Sequence, residues 1–321
     1  MSGRNHQKHT PFETYPNEIN AWLISRLKKQ ISNLTGINLS TQSNFDNLSA
    51  GKVRVVMVNF TPIEKAFLFA NTAPGSFLED TLKDLVTDKK TLWEDTVKSK
   101  VISALTGYSE EDIDFVKKMM VNYFTEGLQP EYDYLLKFNN TKGTNKKYAI
   151  KLVKNYTELT ETLAADNTTI CVLTSIEGAH CLAKKVPGKN TLLDNQGKSH
   201  KKDGIDLTPL IDYENNIIAL KKWEFPPIYV TLNHHFWNGL GGHAKSLNSL
   251  IGTIVSQEEG INEGLKGLGK EVIKRLLSKK NGPRIFIDIK HMRPLCRIQF
   301  YNFIQQEYWS KQDKFPLICS H

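Results

Sequence analysis

The chain has 321 residues, of which 40% are hydrophobic and 24% are charged. This balance is typical of a folded globular protein and argues against disorder. No run of about 18 apolar residues occurs, which excludes a membrane-spanning helix, and the polar N-terminus lacks the apolar core of a secretory signal. The four cysteines show no C-x-x-C pairing and predict buried thiols in a reducing compartment. We therefore expect a cytoplasmic protein.

The formal net charge is +8, from 42 basic and 34 acidic residues. Such an excess can indicate a nucleic-acid-binding protein. The lysines, however, occur as pairs in predicted loops and helix ends rather than as one stripe with interleaved aromatic side chains. Examples of such pairs are Lys28–Lys29, Lys89–Lys90, Lys146–Lys147, Lys201–Lys202 and Lys279–Lys280. A solvated lysine-rich surface is favoured, so no nucleic-acid partner is predicted.

The first half of the chain predicts mostly helix around one strand. Residues 1–50 form a helical N-terminal segment in which apolar side chains recur at three- and four-residue spacing. The β-branched run 52–60 has the length of one strand. Residues 76–127 are predicted to form a helical insertion, with a capping box at residues 109–112. Residues 130–165 predict a strand or two and another helix.

Four short apolar runs in the second half each end in a polar residue. A nearly continuous apolar run is what a parallel strand covered on both faces requires. Helical patterns lie between the runs, most clearly at Leu265, Leu268, Val272 and Leu276. Alternating strands and helices predict a parallel sheet that closes into a TIM-type (β/α) barrel, in a single domain over residues 1–321. The runs are 169–177, 228–234, 284–291 and 315–321.

The carboxyl ends of these runs carry Glu177, His234, His291 and His321. In a barrel such ends converge on one face, where active sites form. Imidazole and carboxylate are the ligands of a catalytic zinc, which keeps one position for water and lowers the pKa of that water. Because the same position recurs in every run, a metal site is favoured over unrelated loop residues.

Three nearby residues are given non-catalytic roles. His235 and His243 flank a glycine-rich loop, 238–242, which is no phosphate-binding fingerprint because no strand and helix enclose it. Lys290 alternates with His291, so its side chain is expected on the opposite face of the strand. It is not predicted to be a metal ligand.

Five short segments follow one another over roughly residues 170–321. They are 175–180 (SIEGAH), 229–234 (YVTLNH), 264–272 (GLKGLGKEV), 287–291 (IDIKH) and 316–321 (PLICSH). In their residues and in their order they resemble segments of the membrane (renal) dipeptidase family of zinc peptidases, which have an amidohydrolase-like barrel.

The resemblance implies a hydrolase that cleaves dipeptides or small amides through a metal-bridged hydroxide. Glu177 would bridge two zinc ions, and His291 and His321 would bind the second ion. His234 would stabilise the oxyanion of the tetrahedral intermediate. The family is often dimeric, which implies a homodimer as one arrangement.

The chain departs from the family at both ends. The family's first strand holds the first zinc through His-x-Asp or His-x-His, and the early residues His6 and His9 lie instead in a polar stretch. The sequence stops at His321. We therefore expect an incomplete barrel without its first and last strands, and only the second zinc site. Two alternatives stay open: a degenerate, non-catalytic barrel that binds a ligand or partner, and a basic protein that binds an anionic polymer.

Overall fold

The computed structural model describes residues 45–64, 66, 122–143, 147–184, 201–202, 205–206, 209–247 and 256–320. His321, most of the predicted helical segment 1–50 and most of the predicted insertion 76–127 lie outside these residues. The chain divides into two compact units. One unit comprises 1–52, 63–120 and 247–256, and its described helix is α1 (Phe45–Ala50). The other comprises 53–62, 121–246 and 257–321 and contains every strand described below.

A mainly parallel sheet forms the centre of the second unit. Six strands belong to it, and two more form a separate antiparallel pair, β5 with β6. The first three of the four predicted runs contain strands, although the second and third contribute only three residues each before the chain turns away. The fourth run, 315–321, forms no strand among its described residues, where Ile318 makes a single isolated bridge. The strands are β1 (Val55–Phe60), β2 (Thr141–Lys142), β3 (Ala149–Leu152), β4 (Ile170–Glu177), β5 (Lys201–Lys202), β6 (Ile205–Asp206), β7 (Tyr229–Thr231) and β8 (Phe286–Asp288).

Strand β4 lies at the centre of this sheet. β1 pairs in parallel along one edge, where the amide of Cys171 donates to the carbonyl of Arg54 at 2.8 Å. The even-numbered residues of β4 form hydrogen bonds along its other edge, where β3 pairs with the start of β4 and β7 with its end. On this edge the carbonyl of Thr174 accepts a hydrogen bond from the amide of Ile228 at 2.8 Å. β8 pairs with β7, and Ile318 forms a parallel bridge beyond β8.

Helices connect the parallel strands. The apolar stripe predicted in the second half is confirmed, because Leu268, Val272 and Leu276 are buried in α5. Among the described residues, every helix is too short or too polar to pass through a bilayer. The helices of this unit are α2 (Gln129–Leu136), α3 (Tyr156–Ala165), α4 (Leu210–Lys221), α5 (Gly267–Leu277) and α6 (Pro294–Glu307), with a π-helical turn at Tyr123–Leu128 and 3₁₀ turns at Ala179–Leu182 and Trp309–Lys311.

The strand order follows the chain order across most of the sheet. From β1 it runs through β4, β7 and β8 to the bridge at Ile318, while the β2–β3 hairpin pairs beside the start of β4. Helices α4, α5 and α6 occupy the successive crossovers. A mixed α/β fold with a mainly parallel sheet is therefore confirmed, and closure of that sheet into a TIM-type barrel stays a prediction.

The four cysteines, all of which are among the described residues, form no disulfide. The expectation of burial is confirmed for Cys171, Cys181 and Cys296, which lie in the core. It is wrong for Cys319, which is exposed because the final segment of the chain lies at the surface.

Candidate metal centre

The carboxyl ends of three neighbouring strands bring several polar side chains together. Glu177 is the last residue of β4, His234 and His235 follow β7, and His291 follows β8. Because these strands are parallel neighbours, their carboxyl ends open at the same edge of the sheet. Of the predicted site residues, Glu177, His234 and His291 therefore meet, whereas His321 lies outside the described residues.

Glu177 is the anionic centre of this group. Its Oε1 lies 2.8 Å from Nζ of Lys290, 3.3 Å from Nε2 of His234 and 3.4 Å from Nε2 of His291. Its side chain is only 18% exposed. Burial by itself would raise the pKa of Glu177, but hydrogen bonds from His234, His291 and Lys290 outweigh burial and hold that pKa well below its usual range. The carboxylate is therefore ionised at neutral pH.

Three imidazole rings form a cluster at this site, and two of them, those of His234 and His291, contact the carboxylate. The ring centroids of His234 and His235 are 3.9 Å apart, and the ring of His291 lies 5.1 Å from the first and 5.0 Å from the second. The nitrogens that could bind a metal all lie within 4.8 Å of one another. His234 is buried and the other two are partly buried. This group could hold a metal ion, and imidazole is a usual ligand of zinc.

His235 joins this group although sequence reasoning favoured a non-catalytic role for it. Successive side chains alternate only within a strand, and β7 has ended before His234, so the two adjacent rings converge. Nδ1 of His235 lies 2.7 Å from the Ser246 hydroxyl, which orients the ring. In the sequence, the pair of adjacent histidines, His234 and His235, was the feature that could have indicated this role.

The prediction that the side chain of Lys290 lies on the opposite face from that of His291 is wrong. Its ammonium contacts the same Glu177 oxygen as His291 does, rather than the opposite face. β8 ends at Asp288, and His291 has a φ of 62°, in the left-handed region. The chain therefore turns after the last ladder residue, and two successive side chains point the same way. Lys290 is only 4% exposed, so its charge is paired inside the protein.

No family model matches the chain, and no curated protein matches it either. The resemblance to membrane dipeptidases therefore stays a prediction.

Asp288 holds the strand ends in place. It is fully buried, and its Oδ2 accepts hydrogen bonds from the hydroxyls of Thr231 and Ser320, both at 2.8 Å. Its Oδ1 accepts from the amide of Lys290 at 3.0 Å and from the amide of Ser320 at 3.1 Å. One carboxylate thus joins the end of β7, the turn before His291 and the segment that leads to the last residue. Sequence reasoning missed this role, although an acid inside an apolar run was a visible signal.

Gly178 allows the chain to turn directly after Glu177. Its φ is 97°, and a Cβ there would lie 2.4 Å from Nδ1 of His180 and 3.0 Å from Cβ of His234. His180 is buried, its Nε2 lies 2.9 Å from the carbonyl of Pro62, and its ring is parallel to that of His234. His180 therefore fills the space beside Gly178, and a residue larger than glycine would clash with it.

His243 has a structural role. It is fully buried, and its two ring nitrogens lie 3.1 Å from the carbonyl of Ala244 and 2.9 Å from the carbonyl of Glu259. The ring thus joins the loop after β7 to the segment before α5. This arrangement agrees with the non-catalytic role expected for His243.

Proposed function

We propose that this protein is a zinc-dependent hydrolase of the membrane-dipeptidase type, which cleaves a small peptide or amide bond. The main support for this proposal comes from two distances: Oε1 of Glu177 lies 3.3 Å from Nε2 of His234 and 3.4 Å from Nε2 of His291. Zinc bonds to such atoms are about 2.1 Å long, so neighbouring ligand atoms in a tetrahedral site lie roughly 3.4 Å apart. Two imidazoles and a glutamate form a catalytic zinc set that keeps a position for water.

In this proposal Glu177, His234 and His291 hold the metal. A zinc ion bound there supplies a Lewis acid that activates water and polarises the substrate carbonyl. The resemblance implies an oxyanion-stabilising role for His234, but its Nε2 is as close to Glu177 as that of His291, which favours a ligand role. The second zinc ion and His321 as its ligand stay predictions.

His235 is proposed to move protons. Its ring contacts those of His234 and His291, and Ser246 orients it through Nδ1. An imidazole so placed would accept a proton from the attacking water and donate it to the leaving amine. The reducing compartment inferred from the cysteines supports the cytoplasm as the proposed location.

A second candidate function, a non-catalytic barrel that binds a ligand or partner, is favoured by one observation. The Lys290 ammonium lies 2.8 Å from the Glu177 oxygen that a metal would use. A buried ion pair of this kind neutralises a carboxylate without any metal. In this alternative, Lys290 replaces the metal permanently.

Metal content and peptide hydrolysis measured on one sample distinguish the two candidates. Protein produced with added zinc should retain about one ion per chain after dialysis and should hydrolyse members of a dipeptide panel. Glu177→Gln should abolish hydrolysis and release the metal. Glu161→Gln, which changes an exposed carboxylate of α3 in the same way, is the matched control and should keep both. A chain that binds no zinc and cleaves no dipeptide overturns the hydrolase and supports the second candidate.

A further inference from the structure

A second group of charged side chains lies at the opposite end of the sheet from Glu177. Helix α4 ends at Lys221 and leads into β7, and helix α5 ends at Leu277 and leads into β8. These helix ends therefore lie beside the amino ends of the strands, away from the metal centre. A cavity of about 210 Å³ opens there, lined by one acidic residue, Glu214, and by four basic residues: Lys221, Lys274, Arg275 and Lys280.

Lys221 is the buried cation of this cavity, with only 4% of its surface exposed. Its ammonium donates a hydrogen bond to the carbonyl of Ser278, and no carboxylate among the described residues pairs with it. Burial, and then the nearby charge of Arg284, lower the pKa of Lys221 to about 8. Buried charges in proteins are normally paired, whereas the partner of this ammonium among the described residues is a neutral carbonyl group, that of Ser278.

The neighbouring cations differ in their pairing. Lys274 lies 3.0 Å from Glu271, and Arg275 contacts Glu271 and, at 3.5 Å, Glu214. Lys280 is exposed, and it has no carboxylate partner in the part of the chain that the structure describes. Lys221 and Lys280, which both line the cavity, therefore have no carboxylate partner among the described residues.

We infer that this cavity binds a small, multiply charged oxyanion, a phosphate group, between Lys221 and Lys280. Two lysines without a carboxylate partner among the described residues match a doubly charged anion, whereas a carboxylate would neutralise only one. The volume of about 210 Å³ is below the roughly 300–1,000 Å³ of sites for larger organic ligands. It leaves room for the anion and a few waters.

Calorimetric titration of the full chain with inorganic phosphate, at an ionic strength held constant with sodium chloride, tests this site. We expect saturable binding of one phosphate per chain. Lys221→Met keeps an unbranched apolar side chain and should weaken binding by about tenfold or more, the usual effect of losing a charged hydrogen bond. Lys222→Met is the matched control, since it removes the same charge from an exposed neighbour outside the cavity. It should change the affinity by less than about twofold, as for a solvent-screened charge.

Lys280→Met provides a second variant whose folding is not in question, because the residue is exposed. Its affinity for phosphate should fall several-fold. Glycerol phosphate, titrated in parallel, distinguishes two sources of the ligand: binding comparable to that of phosphate indicates the phosphoryl group of a larger molecule, and binding of phosphate alone indicates the free ion. The inference is overturned by the absence of saturable phosphate binding, or by equal losses in Lys221→Met and Lys222→Met.

Discussion

Replacement of Lys290 by methionine would leave Glu177 buried without its nearest cation. At 2.8 Å, two unit charges attract by roughly 6 kcal/mol at an effective dielectric constant of about 20. Lost hydration of both groups offsets much of this attraction, and removal of one partner of a buried pair typically costs about 3–5 kcal/mol. His234 and His291 still donate to the carboxylate in the variant. We therefore expect a loss of about 3 kcal/mol in the free energy of unfolding without metal.

Zinc should reverse this loss, because a metal bound to Glu177 neutralises the same carboxylate. Free zinc at about 100 times its dissociation constant stabilises a folded protein by about 2.7 kcal/mol. The gain should be larger in Lys290→Met than in the unaltered protein, because no ammonium competes with the metal for Oε1. Urea unfolding of both proteins, with a chelator and with excess zinc, measures both effects.

A surface ion pair provides the control for this experiment. Lys245 lies 3.1 Å from Glu258, and their side chains are 56% and 68% exposed. Lys245→Met should cost less than about 1 kcal/mol, with or without zinc. If Lys290→Met lowers the free energy of unfolding by no more than this control does, the buried pair of Lys290 and Glu177 does not stabilise the protein. If zinc stabilises the variant less than the unaltered protein, the shared metal site is refuted.

Three further predictions follow from the site. His235→Ala should keep bound zinc but lose hydrolysis, whereas His291→Ala should lose the metal. Elemental analysis after dialysis measures this difference, and loss of the metal from both variants would assign His235 as a ligand instead. Gly178→Ala should lower the unfolding free energy by more than about 2 kcal/mol, because φ is 97° and His180 fills the space; an unchanged urea midpoint would contradict this. The folded-state pKa of Glu177 is lowered, so its ionised form stabilises the protein above the unfolded-state pKa of about 4.3, and the stabilisation is lost as pH falls through the folded-state value. Glu177→Gln should therefore flatten the fall in stability below about pH 4.3, and an identical acid limb would exclude this contribution.

Local patterns in the sequence predicted much of the fold. The central strand β4 was predicted from an almost continuous apolar run. Such a run is expected because a strand covered on both faces has no side that faces solvent and needs polar residues. Helix α5 follows from the period of its buried stripe. The positions of Glu177, His234 and His291 after successive strands predicted their meeting, since neighbouring parallel strands end at one edge.

Other features were decided only by the tertiary structure. The sequence does not show where β7 and β8 stop pairing, and past that point the two-residue alternation no longer assigns a side chain to a face. His235 and Lys290 reach the Glu177 site for this reason, and the left-handed backbone of His291 completes the turn. The burial of Lys221 could not be predicted either, because the residues around it come from the ends of two helices that are distant in sequence.

The sequence by itself thus determined the alternating elements and the chemistry placed at three strand ends. These depend on neighbours along the chain and on the spacing of apolar residues. The tertiary structure decided which cations surround Glu177, because that depends on how the strand ends turn and on Asp288, which bonds the end of β7 to the turn before His291. Contacts between residues distant in sequence have no local pattern, so only the folded chain reveals them.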